Sequence, residues 1–567
     1  MRNKNIFAVT WAFLLGLAWL IPNHYRPWTS FHSDAWIAFV GLFLLVPVIL
    51  TRTEVINLPS FSVLALLLAI VPWIHHSVGM IPFAGQAWVA SAYLQGFGLA
   101  IIVGDNLGRR FNVLLPDALF GAILLASIVS VGLSLGSWAE VIDTGLDDYL
   151  SMGYSGGRHY ANLGQPNMLG SLLLWGVVGC FWAYVRKTIG LKVAVLTSIF
   201  LVVGIVLTRS RTAYVAGIIV VCLQFIFWQK IKSKKIYLLT AVCVGGYLLW
   251  VPTLNWLDIH IFQRIEVVDY VRSATTGDIR LAAWKIFVDA ITDSPWVGYG
   301  WTEVANAQIA VADRHPSLGG MFGHTHNLIL DLFVWVGIPL GLFVLGYVLK
   351  WIFLAFRHME SEQDFLLLMV LVVIGIHSML EYPLQYAIFL LPTGLFVGVV
   401  CNRIRTGYVL KSSAIFLAFI SLCFTIQLAG IARDYSRIED SYNKWRFDFF
   451  GLIYPNKNTP NIPEVLYLTH FRSWFEIVRN RPSSNMSELE LSAREKAVRA
   501  FPSSGGIFEL ALAYALNEDA IKASYWLARV CKLSSETECI NLQRAWRMEA
   551  DKHPQLKLVQ WPNTDGP

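Results

Sequence analysis

Apolar runs separated by short polar stretches fill the first three quarters of this 567-residue chain. Thirteen are long enough to cross a bilayer as helices, at roughly 6–22, 35–51, 58–77, 86–103, 115–135, 166–185, 190–208, 213–229, 236–251, 327–349, 364–380, 386–401 and 412–430. Basic residues fall in every second gap. Arg2 and Lys4 precede the first run, Arg52 follows the second, Arg109 and Arg110 the fourth, and Arg186, Lys187 and Lys192 the sixth. Lys230, Lys232, Lys234 and Lys235 follow the eighth, Lys350 and Arg357 the tenth, and Arg403, Arg405 and Lys411 the twelfth. Lys and Arg are enriched in cytoplasmic loops, so these gaps are expected to be cytoplasmic. The others, 23–34, 78–85, 136–165, 209–212, 252–326 and 381–385, face outward with everything after 430.

After 430 the pattern changes. Ser487–Ala500 and Gly506–Leu516 carry apolar residues at helical spacing, and Ala520–Cys531 and Cys539–Asp551 continue it. Paired short helices predict a small helical-repeat-like domain without a clean period. The expected fold is all-α: a polytopic helical membrane protein of about thirteen transmembrane helices, with one large outer loop and a C-terminal soluble helical domain.

Composition agrees. The chain is 56% hydrophobic and 14% charged, with a mean hydropathy of +0.54, where a soluble protein carries roughly 25% charge. Its net charge of +6 is spread over the short interspan clusters, which excludes a nucleic-acid footprint. The first run lacks a small-residue cleavage site and reads as a span. Five cysteines, Cys180, Cys222, Cys243, Cys401 and Cys423, lie in or beside apolar runs as small hydrophobes. Cys531 and Cys539 sit together in the polar tail and form a disulfide if that tail faces an oxidising compartment.

Polar groups at span ends are costly and mark sites. Here they gather on the outer side. Arg209-Ser210-Arg211 occupies a very short outer turn, against the positive-inside bias, and two guanidinium forks there suit a phosphate. Arg280 lies in Asp278-Ile279-Arg280-Leu281-Ala282-Ala283-Trp284, where a helix opening near Asp278 places it in the first turn beside unpaired backbone N–H groups. His324-Thr325-His326-Asn327 stands at the mouth of the tenth span, and histidine is suited to take a proton near neutral pH. No Cys or carboxylate cluster accompanies these histidines at ligand spacing, so the reading is metal-free and cofactor-free. Asn162-Leu163-Gly164-Gln165-Pro166-Asn167 sets three amides before the sixth span, suited to sugar hydroxyls or phosphate. Glu381-Tyr382-Pro383 forms a tight outer turn with His377 just inside it.

These residues carry a resemblance. Leu207-Thr208-Arg209-Ser210-Arg211-Thr212-Ala213, the Arg280…Trp284…Pro295…Gly298-Tyr299-Gly300 block and the His326-Asn327…Leu330…Gly337…Gly341 block resemble the O-antigen ligase/polymerase superfamily. Within it, Asn162 to Asn167, Glu381-Tyr382-Pro383 and the long tail resemble the PglL-type bacterial O-oligosaccharyltransferases. The resemblance implies a metal-independent enzyme at the periplasmic face of the bacterial inner membrane. It implies en bloc transfer of an oligosaccharide from undecaprenyl diphosphate to a Ser or Thr hydroxyl of an acceptor protein such as a pilin. Under it His326 matches the family's implicated histidine, and Arg211 and Arg280 match its arginines. Gln165 and Tyr382 match the PglL pattern, with Asn162, Asn167, Arg209, His324 and Glu381 as further substrate-binding expectations.

The chain then divides into a transmembrane region with donor-side motifs (1–251), a large periplasmic loop with catalytic-site residues (252–326), C-terminal transmembrane helices (327–430) and a periplasmic helical domain (431–567). An O-antigen ligase that uses lipid A core as acceptor is the nearest alternative, followed by a glycan polymerase. A transporter or flippase would place ionisable groups in mid-span and show repeat symmetry.

Overall fold

The computed structural model describes residues 2–50, 55–141, 154–155, 157–264, 279–404, 408–449 and 462–562. Arg52, Asp278 and Arg405, and parts of the 136–165, 252–326 and 431–567 segments, lie outside these residues.

Each of the thirteen apolar runs coincides with helix. Among the described residues, ten helical stretches have the length and apolar character to cross a membrane, making this a polytopic all-α protein. The runs at 6–22, 213–229 and 364–380 become helices of 16, 16 and 17 residues: Arg2–Leu17, Arg211–Ile226 and Glu362–Ser378. Such helices rise about 25 Å, a little less than the roughly 30 Å hydrocarbon core. Polar caps set two of their starts. Ser210 accepts from Ala213 N, and Ser361 forms a reciprocal capping box with Asp364. Two helices overrun the pattern. Lys234–His260 continues through Pro252, because Leu254 and Leu257 still pack against Val203, Val206 and Leu207. Ala414–Phe449 runs well past residue 430.

The chain forms two compact units, each drawn from separated stretches. The first comprises residues 1–66, 95–277 and 347–425. Its contacts sort the interspan segments by end. Val55–Pro59 pairs antiparallel with Val409–Ser413, in the register Val55↔Ser413 to Pro59↔Val409. Arg186 bonds Asp117 at 3.1 Å, and Lys230 donates to Met359 O at 2.8 Å. All of these lie in, or within three residues of, gaps that the charge pattern puts on one side. At the opposite span ends, Asn162 Nδ2 donates to Leu20 O at 2.9 Å and Ala387 N donates to Asp34 at 2.7 Å. Gly170 lets Pro166–Val185 approach Arg211–Ile226 closely: a Cβ there would lie 2.8 Å from Ala213 Cβ.

The second unit comprises residues 67–94, 278–346 and 426–567. Its central feature is a broken span. Leu328–Arg357 leaves helical geometry at Gly337, with φ 74° and ψ 175°. The gap is filled by backbone from residues 295–300. Tyr299 N donates to Val334 O at 2.7 Å, Gly300 N to Trp335 O at 3.2 Å, and Ile338 N to Pro295 O at 2.7 Å. This supplies the partners that an interrupted apolar helix lacks. Gly298, at φ 70°, and Gly337 leave no room for side chains, since a Cβ on Gly337 would lie 2.5 Å from Trp296 C.

The tail completes this unit. Ser487, Ser503, Asp519 and Ser535 cap four helices, Glu488–Ala500, Ser504–Leu516, Ala520–Val530 and Glu536–Lys552. Ser504–Leu516 is largely buried among them, and Cys531 is bonded to Cys539. Ile309 and Ala312 of the preceding loop belong to the same core. Arg529 Nε donates to Ile309 O at 3.0 Å, and Ser317 Oγ to Ser534 O at 2.8 Å. Glu303, buried nearby, accepts from Gln86 at 2.8 Å and from Asn306, whose Nδ2 also donates to Arg499 O at 2.9 Å.

Gly337→Ala is expected to destabilise the protein by at least about 1–3 kcal/mol, the cost of forcing a side chain into this glycine-only conformation, read as a lower unfolding temperature in detergent. Burial pushes the Glu303 carboxyl up to about 7 from 4.5. Between those values the folded chain holds a proton that the unfolded chain has released, so stability falls as pH rises and levels off above about 7. Unfolding temperatures at pH 5 and pH 8 check this, and Glu303→Gln should flatten the dependence.

Candidate active site

In the first unit, Gln165 and Pro166 begin a helix and Glu381 follows another, and their side chains meet. Gln165 Nε2 and Asn167 Nδ2 donate to the two carboxylate oxygens of Glu381, the latter at 2.7 Å. Asn167 Oδ1 accepts from Ser210 Oγ at 2.7 Å and from Arg158 Nη2 at 3.1 Å. Arg158 Nε reaches Thr208 O at 3.3 Å. Ser171 Oγ and His377 Nδ1 lie 2.8 Å apart just within the spans. Three sequence-separated stretches, 165–167, 208–211 and 381, therefore form one network. Asn162 is buried, with its side-chain amide donating to Leu20 O and its backbone carbonyl 2.7 Å from His24. Tyr382 stacks on Tyr386 with ring centres 6.1 Å apart, and burial raises its phenol above the ordinary value.

The two arginines of the 209–212 turn have different environments. Arg209 adopts φ 48° at the end of Leu191–Thr208 and is buried against Asp258. The same carboxylate accepts from Arg264 Nη1 at 2.8 Å and Trp138 Nε1 at 2.8 Å. Arg211 occupies the first position of the next helix and is exposed. Its guanidinium makes no ion pair among the described residues. Burial, and then the charges of Arg264 and Arg209, push His159 down to about 3. Arg209 is thus tied into a structural ion cluster, and Arg211 is the guanidinium of the pair open to an anion.

In the second unit the histidine loop is held at several points. Gln308 receives Phe322 N at 2.8 Å and donates to Gly320 O at 3.1 Å. Thr325 is fully buried; its N–H donates to Asp331 at 2.7 Å and its carbonyl accepts from Trp284 Nε1 at 3.0 Å. Asn327 caps Leu328–Arg357, accepting from Ile329 N at 3.0 Å and Leu330 N at 3.3 Å. Between these anchors His326 sits at φ 58°, a conformation uncommon outside glycine. Burial, with His326 beside it, pushes His324 down to about 3. Arg280 lies in the first turn of Ile279–Asp293, four residues before Trp284.

Sequence reasoning passed over Arg158, Asp258, Arg264 and Asp331, and quoted Trp284 only as part of a motif, with no role. Asp258 and Asp331 were detectable as ionisable groups at the ends of long apolar helices. Arg158 and Arg264 lie in segments between apolar runs that the charge pattern leaves poor in arginine.

Two families match the chain. The family described as O-antigen ligase matches residues 196–345, from the 209–212 turn through His326. The family described as virulence factor membrane-bound polymerase, C-terminal, matches residues 365–537. Two proteins of Acinetobacter baylyi are similar along much of their length. A general O-oligosaccharyltransferase is 28% identical over 505 residues, covering 86% of this chain and 85% of that protein. A ComP-specific O-oligosaccharyltransferase is 26% identical over 416 residues, covering 73% of this chain and 74% of that protein.

The arginine geometry separates two substitutions. Arg209→Ala should lower stability by about 1.5–3 kcal/mol, the range for a hydrogen bond to a charged group. Arg211→Ala should stay within about 0.5 kcal/mol of the parent, as an exposed substitution does. Unfolding in detergent measures both.

Proposed function

We propose what this enzyme transfers, and how, from one premise: the chain belongs to the O-antigen ligase superfamily and is a membrane glycosyltransferase of the oligosaccharyltransferase type. It moves an oligosaccharide en bloc from undecaprenyl diphosphate to a Ser or Thr hydroxyl of an acceptor protein such as a pilin. The two Acinetobacter relatives support O-linked transfer. The reaction runs at the periplasmic face of the inner membrane. Supporting that side, the basic gaps contact one another at one end of the first unit, while the Gln165–Asn167–Glu381 network lies at the opposite span ends.

The observation that carries the mechanism is the His326 backbone, held at φ 58° between an anchored Thr325 and a helix-capping Asn327. A base that takes a proton only below about pH 3 is poorly matched to neutral pH, which disfavours His324. His326 accepts the proton of the acceptor hydroxyl. The hydroxyl oxygen then attacks the anomeric carbon, and the bond from that carbon to the diphosphate oxygen breaks. The diphosphate departs with the bonding pair. Arg211 and Arg280 offset its growing charge, because guanidinium keeps its proton and matches phosphate geometry. Gln165, Asn167, Glu381 and Tyr382 bind the donor. One displacement inverts the anomeric centre.

A second reading has a specific observation behind it: the family matching 196–345 is described as O-antigen ligase, whose acceptor would be lipid A core. Transfer by purified protein in detergent with EDTA present, with pilin-like peptide and lipid A core competing as acceptors, separates the two. Modification of peptide is expected, and modification of lipid A core alone would overturn the protein reading. His326→Ala should lower the rate roughly 100- to 10,000-fold, whereas His324→Asn should retain most activity. Equal loss in both would remove the assignment of the base.

A further inference from the structure

We infer that Trp284 is a positioning residue for His326. This rests on the reading of His326 as the base. Trp284 follows Arg280 by one helical turn, so both project from the same face of Ile279–Asp293. Its indole Nε1 donates to the Thr325 carbonyl at 3.0 Å. That carbonyl belongs to the planar peptide joining Thr325 to His326. Once the plane is set, φ 58° at His326 fixes where its imidazole begins.

The other groups of Thr325 are also committed. Its N–H donates to Asp331 at 2.7 Å and its hydroxyl to Asn327 O at 2.8 Å. The same hydroxyl accepts from Asn327 N at 3.2 Å. Of these contacts, the indole bond is the one made to the carbonyl of the following peptide plane. Gln308, gripping Gly320 and Phe322, keeps the rest of the loop in place. Loss of the indole N–H alone should therefore tilt one peptide without unfolding its surroundings. A misplacement of about 1 Å at a reacting group can cost about 100-fold in rate. Trp284 also ties the helix bearing Arg280 to the loop bearing His326. The plain alternative is that Trp284, half-buried in this unit, only fills space.

Two replacements separate these roles. Trp284→Phe removes the N–H and part of the ring. Benzothienylalanine at 284 keeps the two-ring shape and lacks only the N–H. Each is measured in the full-length protein for kcat and KM with lipid-linked donor and peptide acceptor, for unfolding temperature, and for hydrogen–deuterium exchange over residues 321–327. The inference expects kcat to fall about tenfold or more in both, with both KM values within about twofold and faster exchange at 325–327. Wild-type kcat with benzothienylalanine, or a loss confined to KM, would overturn it. Should wild type itself transfer no glycan, the function reading fails, and the exchange measurement still decides this one: unchanged exchange at 325–327 overturns the positioning role.

Discussion

In a membrane-spanning chain, every backbone N–H and C=O in the apolar region must find a partner within the protein. The break at Gly337 is where that constraint shapes this molecule most. A helix interrupted there exposes carbonyls at Val334 and Trp335 and an N–H at Ile338, and residues 295–300 satisfy all three. The arrangement works only because Gly298 and Gly337 adopt left-handed backbone and bring two main chains into contact. It fixes residues 295–300 to the first turns of the tenth span. The helix bearing Arg280 leads into that segment, and the loop bearing His326 leads into that span.

Buried carboxylates then organise the polar groups. Glu381 gathers the amides of Gln165 and Asn167. Asp258 gathers Arg209, Arg264 and the Trp138 indole. Asp331 holds the Thr325 N–H, and Glu303 holds Gln86 and Asn306. A buried carboxylate left without donors would be costly, so each one fixes the residues around it. The Glu381 cluster holds residues proposed to bind the donor, and the Glu303 cluster joins the 304–312 segment to the helical tail. In the last, Asn306 reaches the Arg499 carbonyl while Ile309 packs into the tail core.

Much of this was legible in the chain. Spans follow from apolar runs, and the tail helices follow from apolar residues at helical spacing. Gln165, Asn167 and Glu381 were marked by position alone, as polar groups at outer span ends, and the structure joins them. Other features were hidden for physical reasons. The resemblance singled out Arg211 over Arg209, but their residue chemistry is the same, and only the fold pairs Arg209 with Asp258, 49 residues away. The Gly337 break was invisible because its partners come from residues 295–300. Helix length was misread at Pro252, which the Lys234–His260 helix accommodates because the packing face continues beyond it.

The central claim is a single displacement in which a histidine takes the hydroxyl proton and arginines neutralise the leaving diphosphate. The anomeric configuration of the transferred sugar tests it most directly, read by NMR on glycopeptide made from a donor of known configuration. This account predicts inversion. Retention would require a second displacement or front-face attack and would contradict the single in-line displacement.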